Sequence, residues 1–214
     1  MNITREQLKL YAVTDRSWCG NDTIFEQVEA AIKGGVTLVQ LREKDMSDSE
    51  FETEAIRMKE LCHRYNIPLI INDRVEMAKK IDADGVHIGQ SDMNVEKARK
   101  ILGPHKIIGV TAKTVIQAQQ AQKDGADYLG SGAVFGTTTK NDARPMDIDT
   151  LNEICDSVRI PVVAIGGINA GNIMKLSGSR VAGAAVVSGI FNNNDIETST
   201  CILRKMVENI ISGV

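Results

Sequence analysis

The stretch AAIKGGVTLVQL, residues 30–41, decides the fold: a helical segment bearing Ala and Lys runs into two glycines, and a strand rich in Val and Leu follows at once. Glycine suits the left-handed residue that closes a helix, and branched apolar residues suit the strand after it. The same order returns in AKKIDADGVHIG from Ala78, in AQKDGADYLGSG from Ala121 and in KLSGSRVAGAAVVSG from Lys175.

Working outward from this unit, eight strands can be placed: LYAVTD from Leu10, LVQLRE from Leu38, PLIIND from Pro68, DGVHIG from Asp84, KIIGVTA from Lys106, YLGSGAV from Tyr128, PVVAIGG from Pro161 and GAAVVSGI from Gly183. Amphipathic segments such as IFEQVEAAIKG, EFETEAIRMKELCHRY and VIQAQQAQKDG lie between them, and the stretch 74–83 leaves room for only a short helix. Strands alternating with helices describe parallel βα units. Eight units in 214 residues fit an α/β protein built as a single (β/α)8 TIM barrel, with residues 1–214 as one catalytic domain. An open doubly wound sheet is the alternative, because strand order is not written in the sequence.

A hydrophobic content of 43% supports one sizeable core, and no Pro, Gly or Ser tract marks a linker. The formal charge of -3 argues against broad nucleic-acid binding, so any anion site must be local. Cys19, Cys62, Cys155 and Cys201 are scattered without metal or redox spacing and read as reduced core thiols. Neither a signal peptide nor a run of the ~20 apolar residues of a membrane span is present, which predicts a cytoplasmic protein with no membrane partner.

In a barrel the active site lies at the carboxyl ends of the strands, and here those ends are charged. Gln40, Arg42 and Lys44 lie two apart, so an extended chain throws all three onto one side and leaves Val39 and Leu41 on the other. Inward cations are costly without a partner, and a bound phosphate or diphosphate removes that cost; the plain alternative is solvated charge at a strand end. Asn72 and Asp73 close the third strand, and Asp92 follows the fourth. Asp73 with Glu76 also fits a capping box, Asp92 fits a cap for the helix near Asn94, and Asn72 fits a stabiliser of its turn. Taken together, two carboxylates beside a polyanion call for a cation between them, and Mg2+ suits one or two carboxylates plus phosphate oxygens.

Thr137, Thr138, Thr139 and Lys140 offer hydroxyls, amides and a point charge, which read as a phosphate cradle or as a threonine-rich turn within a closing lid. Gly166, Gly167, Val187, Ser188 and Gly189 end strands seven and eight, where barrels bind phosphate through amides; close packing is the competing explanation. His87, opposite Val86 and Ile88, reads as a hydrogen-bonded interior histidine, with a proton carrier as the second option, while His63 and His105 are assigned no chemistry.

In order along the chain, QLREK, IIND, DGVHIGQSD, IIGVTAKT, TTTK, AIGGI and VVSGI, from Gln40 to Ile190, resemble the thiamine phosphate synthases; YAVTDR at Tyr11 is similar to that family's opening strand. The resemblance implies joining of a hydroxymethylpyrimidine diphosphate to a hydroxyethylthiazole phosphate with release of diphosphate. It implies Mg2+, one per active site, held by Asp73 and Asp92. It implies Gln40, Leu41, Arg42, Glu43, Lys44, Asn72, Thr111 and Lys140 as contacts to the pyrimidine diphosphate, with Arg42, Lys44 and Lys140 stabilising the leaving group. Thr137, Thr138, Thr139, Gly167, Val187 and Ser188 look like the thiazole phosphate site. Thr111 stands where the family commonly has serine, so the hydroxyl survives with an added methyl. The partners implied are small-molecule substrates, with a homo-oligomer left open.

Such a displacement at a benzylic-type carbon needs no side-chain nucleophile but does need water excluded, for which closure of the loops around Trp18 and residues 137–144 is the expectation. The nearest rival is a thiazole tautomerase on the same barrel, which has no use for a diphosphate clamp. A noncatalytic phosphate sensor is a rival of another class, and would need no paired aspartates. A general phosphosugar isomerase would need a base and an acid that the sequence does not supply.

Overall fold

Each helix–glycine–strand repeat becomes one βα unit in the computed structural model, which describes residues 2–136 and 145–213. The strands are β1 (Leu10–Val13), β2 (Leu38–Leu41), β3 (Leu69–Asn72), β4 (Gly85–Ile88), β5 (Ile107–Thr111), β6 (Tyr128–Ser131), β7 (Val162–Ile165) and β8 (Gly183–Val186). The helices are α1 (Ile24–Lys33), α2 (Asp48–Arg64), α3 (Val75–Lys80), α4 (Val95–Leu102), α5 (Val115–Lys123), α6 (Ile148–Ser157), α7 (Ser188–Phe191) and α8 (Ile196–Ser212). The expected short helix after β3 is α3, and a single 3-10 turn, Ile173–Leu176, stands where the β7 to β8 crossover would carry a helix.

Every strand pairs in parallel with the next, and β8 pairs back onto β1 through Leu10 with Ala184 and Ala12 with Val186. The sheet is therefore a closed (β/α)8 TIM barrel, and the open doubly wound alternative is excluded. Closure brings the carboxyl ends of all eight strands to one rim.

The two glycines of the opening motif do different work. Gly34 ends α1 with ordinary helical backbone, but a Cβ there would lie 2.5 Å from the Glu197 carbonyl oxygen and 2.6 Å from Thr200 Cβ on α8. Gly35, at φ +106°, supplies the left-handed turn into β2. The first glycine admits a neighbouring helix and the second reverses the chain.

The strand period of two sorts the core into two shells. Leu10, Ala12, Val39, Leu41, Ile71, Val86 and Leu129 face the helices, while Tyr11, Val13, Leu38, Ile70, Ile107, Tyr128, Val163 and Ala185 fill the barrel, with Ile3, Leu8 and Ala182 in the same inner cluster. Tyr128 fits because β5 carries glycine opposite it: a Cβ on Gly109 would stand 2.1 Å from Tyr128 Cζ. Gly109→Ala is therefore expected to cost about 3 kcal/mol, or roughly 10 °C in Tm, through overpacking. An unchanged calorimetric Tm would show that the Tyr128 ring can give way.

The expectation of four core thiols needs correction. Cys62 is buried and Cys19 and Cys155 are half-buried, but Cys201 is exposed on α8. Burial pushes the Cys62 thiol up to about 12 and Cys155 up to about 11, so both stay protonated and unreactive. Among the described residues no helix is long and apolar enough to cross a membrane.

Candidate active site

The β2 strand stops at Leu41, two residues short of the expected run, because the first hydrogen bond beyond it goes to a side chain. Thr14 N–H donates to the Gln40 carbonyl (3.0 Å), and Arg42 N–H then donates to Thr14 Oγ1 (3.0 Å) rather than to backbone. Gln40 turns inward and is buried, with Nε2 donating to Tyr11 Oη at 2.5 Å. Arg42 is only 9% exposed, and its ion pair is long, 3.7 Å from Nη1 to Asp15 Oδ2. Asp15 is shared, since its Oδ1 also accepts from the Ser17 amide (3.1 Å) and hydroxyl (2.6 Å). A guanidinium held out of water with one distant, divided counter-charge is poised for an anion. Lys44 lies exposed just beyond it.

Leu41 and Glu43 have the opposite parity. The Leu41 side chain is fully buried among the helices, and Glu43 turns to Arg16, whose Nε lies 3.2 Å from Glu43 Oε2 and whose Nη2 lies 2.5 Å from Glu54 Oε2 on α2. These two residues present backbone, not side chains, toward the rim. The Glu43 and Glu54 side chains are only 7% and 12% exposed, and one guanidinium serves both. Burial holds the Glu43 carboxyl above its ordinary range, with Arg16 opposing the rise. A raised carboxyl binds more protons folded than unfolded, so its contribution to stability falls as pH climbs above the ordinary glutamate value of about 4.3. Arg16→Gln leaves two carboxylates without their cation and is expected to cost about 2 kcal/mol at neutral pH, discounted because Arg16 is 47% exposed. That deficit shrinks as pH falls toward 5, and a urea-melt deficit independent of pH would clear Glu43 and Glu54 of responsibility.

At the end of β3 the chain makes a left-handed turn at Asp73, φ +60°, with Asp73 N–H donating to the His87 carbonyl at 2.8 Å. Asn72 Nδ2 donates to Asp73 Oδ2 at 2.6 Å. The alternative capping box does not form, because the turn moves the cap position to Arg74, whose guanidinium instead reaches Asp48 Oδ1 at 2.9 Å. Asp92 does not cap α4 either. Asn94 does so, accepting from Lys97 N–H, while Asp92 Oδ2 accepts from Gly89 N–H at 2.7 Å and closes the β4 to α4 loop. Both carboxylates thus stand beyond the carboxyl ends of neighbouring strands, β3 and β4, with helix capping ruled out for each.

Inside the barrel, beneath that rim, Tyr11 Oη lies 2.8 Å from Tyr128 Oη, which lies 3.0 Å from His87 Nδ1; His87 Nε2 lies 3.0 Å from Thr111 Oγ1. Burial raises both phenols far above their ordinary range, so they stay neutral. On the opposite side, Gly167 at φ +64° has no room for a side chain, since a Cβ would meet the Gly136 carbonyl oxygen at 2.1 Å. Val187 precedes α7 and its carbonyl accepts from Ile190 N–H, while Ser188 begins the helix, where the first amides lack an intrahelical acceptor. Beside them a cleft of about 370 Å³ is lined by Asn169, Gly171, Ser188, Gly189, Asn192 and Asn193.

Residues 10–190 match the family model described as Thiamine monophosphate synthase. The chain belongs to the thiamine monophosphate synthase family. It is 48% identical over 210 residues to Thiamine-phosphate synthase 2 of Streptococcus pneumoniae, covering 98% of this chain and 100% of that one. Over 190 residues it is 52% identical to a Thiamine-phosphate synthase of Ruminiclostridium cellulolyticum, covering 89% and 90% of the two chains. A solved Thiamine phosphate pyrophosphorylase from Pyrococcus furiosus aligns with a TM-score of 0.89 at 40% identity, over 97% of this chain and 98% of that one. Kinship at this depth and coverage makes the chain a thiamine-phosphate synthase, a transferase of thiamine biosynthesis.

For a member of this family the rim gathers Gln40, Arg42, Lys44, Asn72, Asp73, Asp92, Thr111, Gly167, Val187 and Ser188 at one end of the barrel. Thr137, Thr138, Thr139 and Lys140 lie outside the described residues. The close-packing explanation holds for Gly167 on steric grounds, whatever ligand its amide meets. Among the described residues no three or more His, Cys, Asp or Glu side chains cluster to hold a metal. A two-carboxylate donor set nevertheless fits an ion that completes its shell with phosphate oxygens and water. Sequence reasoning missed Tyr11, Tyr128 and Arg16. The available signal for the tyrosines was their inward parity, with glycine at Gly109 facing Tyr128.

Proposed function

We propose that this chain joins hydroxymethylpyrimidine diphosphate to hydroxyethylthiazole phosphate, giving thiamine phosphate and diphosphate, in the cytoplasm and with one Mg2+ per site. The observation that carries the reading is Arg42, buried at the rim with, among the described residues, only a long, divided ion pair, on the same barrel end as Asp73 and Asp92. A thiazole tautomerase has no use for that combination.

In the reaction, the bond from the pyrimidine methylene carbon to the diphosphate oxygen breaks, and the thiazole nitrogen takes the carbon. Arg42, Lys44 and Lys140 stabilise the charge growing on the departing oxygens. Gln40, Asn72 and Thr111 orient the pyrimidine, whose electron-rich ring shares the positive charge of a dissociative transition state. Gly167, Val187, Ser188 and Thr137 to Thr139 hold the thiazole phosphate. Asp73 and Asp92 hold the magnesium, which supplies further neutralisation of the leaving diphosphate. No side chain serves as nucleophile. The loop around Trp18 closes to keep water from the short-lived cation.

A purified assay with each substrate alone and with both tests this directly. Diphosphate should appear only when both substrates and magnesium are present. Isomerisation of a thiazole phosphate alone, with no diphosphate from the pair, would replace the reading with the tautomerase.

A further inference from the structure

The polar side chains inside the barrel form one unbroken line from β2 to β5: Gln40, Tyr11, Tyr128, His87, Thr111. Space has been cleared for it. Gly109 admits the Tyr128 ring, and a Cβ on Gly130 would stand 3.1 Å from His87 Cε1. Gln90 Nε2 fixes the far end by donating to the Thr111 carbonyl at 2.6 Å.

The direction of the line follows from what each atom can donate. Gln40 Nε2 is a donor only, so Tyr11 Oη accepts from it. Tyr11 has one proton to give, and Tyr128 Oη at 2.8 Å takes it; were Tyr128 to donate instead, the buried Tyr11 proton would have no acceptor among the described residues. Tyr128 then donates to His87 Nδ1, which leaves the imidazole proton on Nε2, facing Thr111 Oγ1. A hydroxyl that already accepts keeps its own proton for another partner.

We infer that His87 is a positioning residue: held as the Nε2-protonated neutral tautomer by the Gln40–Tyr11–Tyr128 line, it occupies one lone pair of the Thr111 hydroxyl and aims the Thr111 proton at a lone pair of the pyrimidine diphosphate. The identity of that ligand rests on the proposed function; the tautomer does not. The added methyl of threonine restricts the hydroxyl to fewer rotamers than serine allows, which reinforces the same aim.

The chain holds three histidines, so His63→Gln with His105→Gln leaves His87 as the sole imidazole for nitrogen NMR. In ligand-free protein, recorded above the ordinary histidine range of about 6.5, the proton is expected on Nε2 with Nδ1 bare. Tyr128→Phe is expected to release a mixture of tautomers. By calorimetry, Thr111→Val and Tyr128→Phe should each weaken pyrimidine diphosphate binding about 5- to 10-fold, the double variant no more than Thr111→Val alone, with thiazole phosphate binding unchanged. A proton on Nδ1, as a reversed Gln40 amide would give, overturns the inference, as do fully additive losses. The unsubstituted Tyr128 spectrum decides the tautomer even if Tyr128→Phe fails to fold. Failure of pyrimidine diphosphate to bind the parent protein sinks the ligand assignment and the function above, while the tautomer is judged by its own spectrum.

Discussion

Asp92→Asn is expected to lower kcat/KM for coupling about 1000-fold while leaving Tm within about 2 °C of the parent. The substitution separates two jobs that one carboxylate performs. Asp92 Oδ2 accepts from Gly89 N–H at 2.7 Å and shapes the loop after β4, which the carbonyl oxygen of asparagine can also do. What asparagine lacks is the charge that would hold magnesium beside a polyanion. Since helix capping at this position belongs to Asn94, no second structural duty confuses the result. A magnesium titration sharpens it: part of the lost rate should return at high concentration if the ion is merely bound more weakly. Asp92→Ala should lose both the rate and some stability, because the Gly89 amide is then left without its partner. Near-parent activity of Asp92→Asn at low magnesium would remove Asp92 from the metal site.

The barrel was legible because its cause is local. Each strand is a short apolar run, several of them entered from a glycine, and β1 through β8 all begin at or within one residue of the expected start. Closure was expected only from the count of eight units, since the pairing of Leu10 with Ala184 joins residues from opposite ends of the chain and no pattern of two or three residues encodes it. The candidate site divides along the same line. Parity placed Gln40 inward correctly, because it sits inside a strand; for Arg42 and Lys44 the strand had already ended, and Thr14 determines what Arg42 does. The two capping readings failed for a reason sequence does not display: a left-handed residue at Asp73 and an Asn at 94 each shift a helix start beyond the carboxylate. The tyrosine and histidine line was hidden because its links from β1 to β6 and from β6 to β4 join strands that are not sheet neighbours and meet only across the barrel interior.

Arg42→Met should separate stability from activity in opposite directions. Methionine is close to arginine in length and fills the same buried space without a charge, so removing a cation whose ion pair spans 3.7 Å should leave the melting temperature unchanged or raise it. Asp15 keeps its bonds from Ser17 and stays satisfied. Activity should nonetheless fall about 1000-fold, because the fork of donors that meets the leaving diphosphate as its charge grows has gone. Arg42→Lys, which keeps charge but not the fork, should lie between the two. Thermal shift with diphosphate gives the independent check: it should raise the Tm of the parent and of Arg42→Lys, and hardly that of Arg42→Met. A residue retained for stability would behave the other way, with Arg42→Met melting early and binding diphosphate normally. If that is what is measured, the buried guanidinium belongs to the scaffold, and the anion must be held by Lys44 and the chain beyond β6.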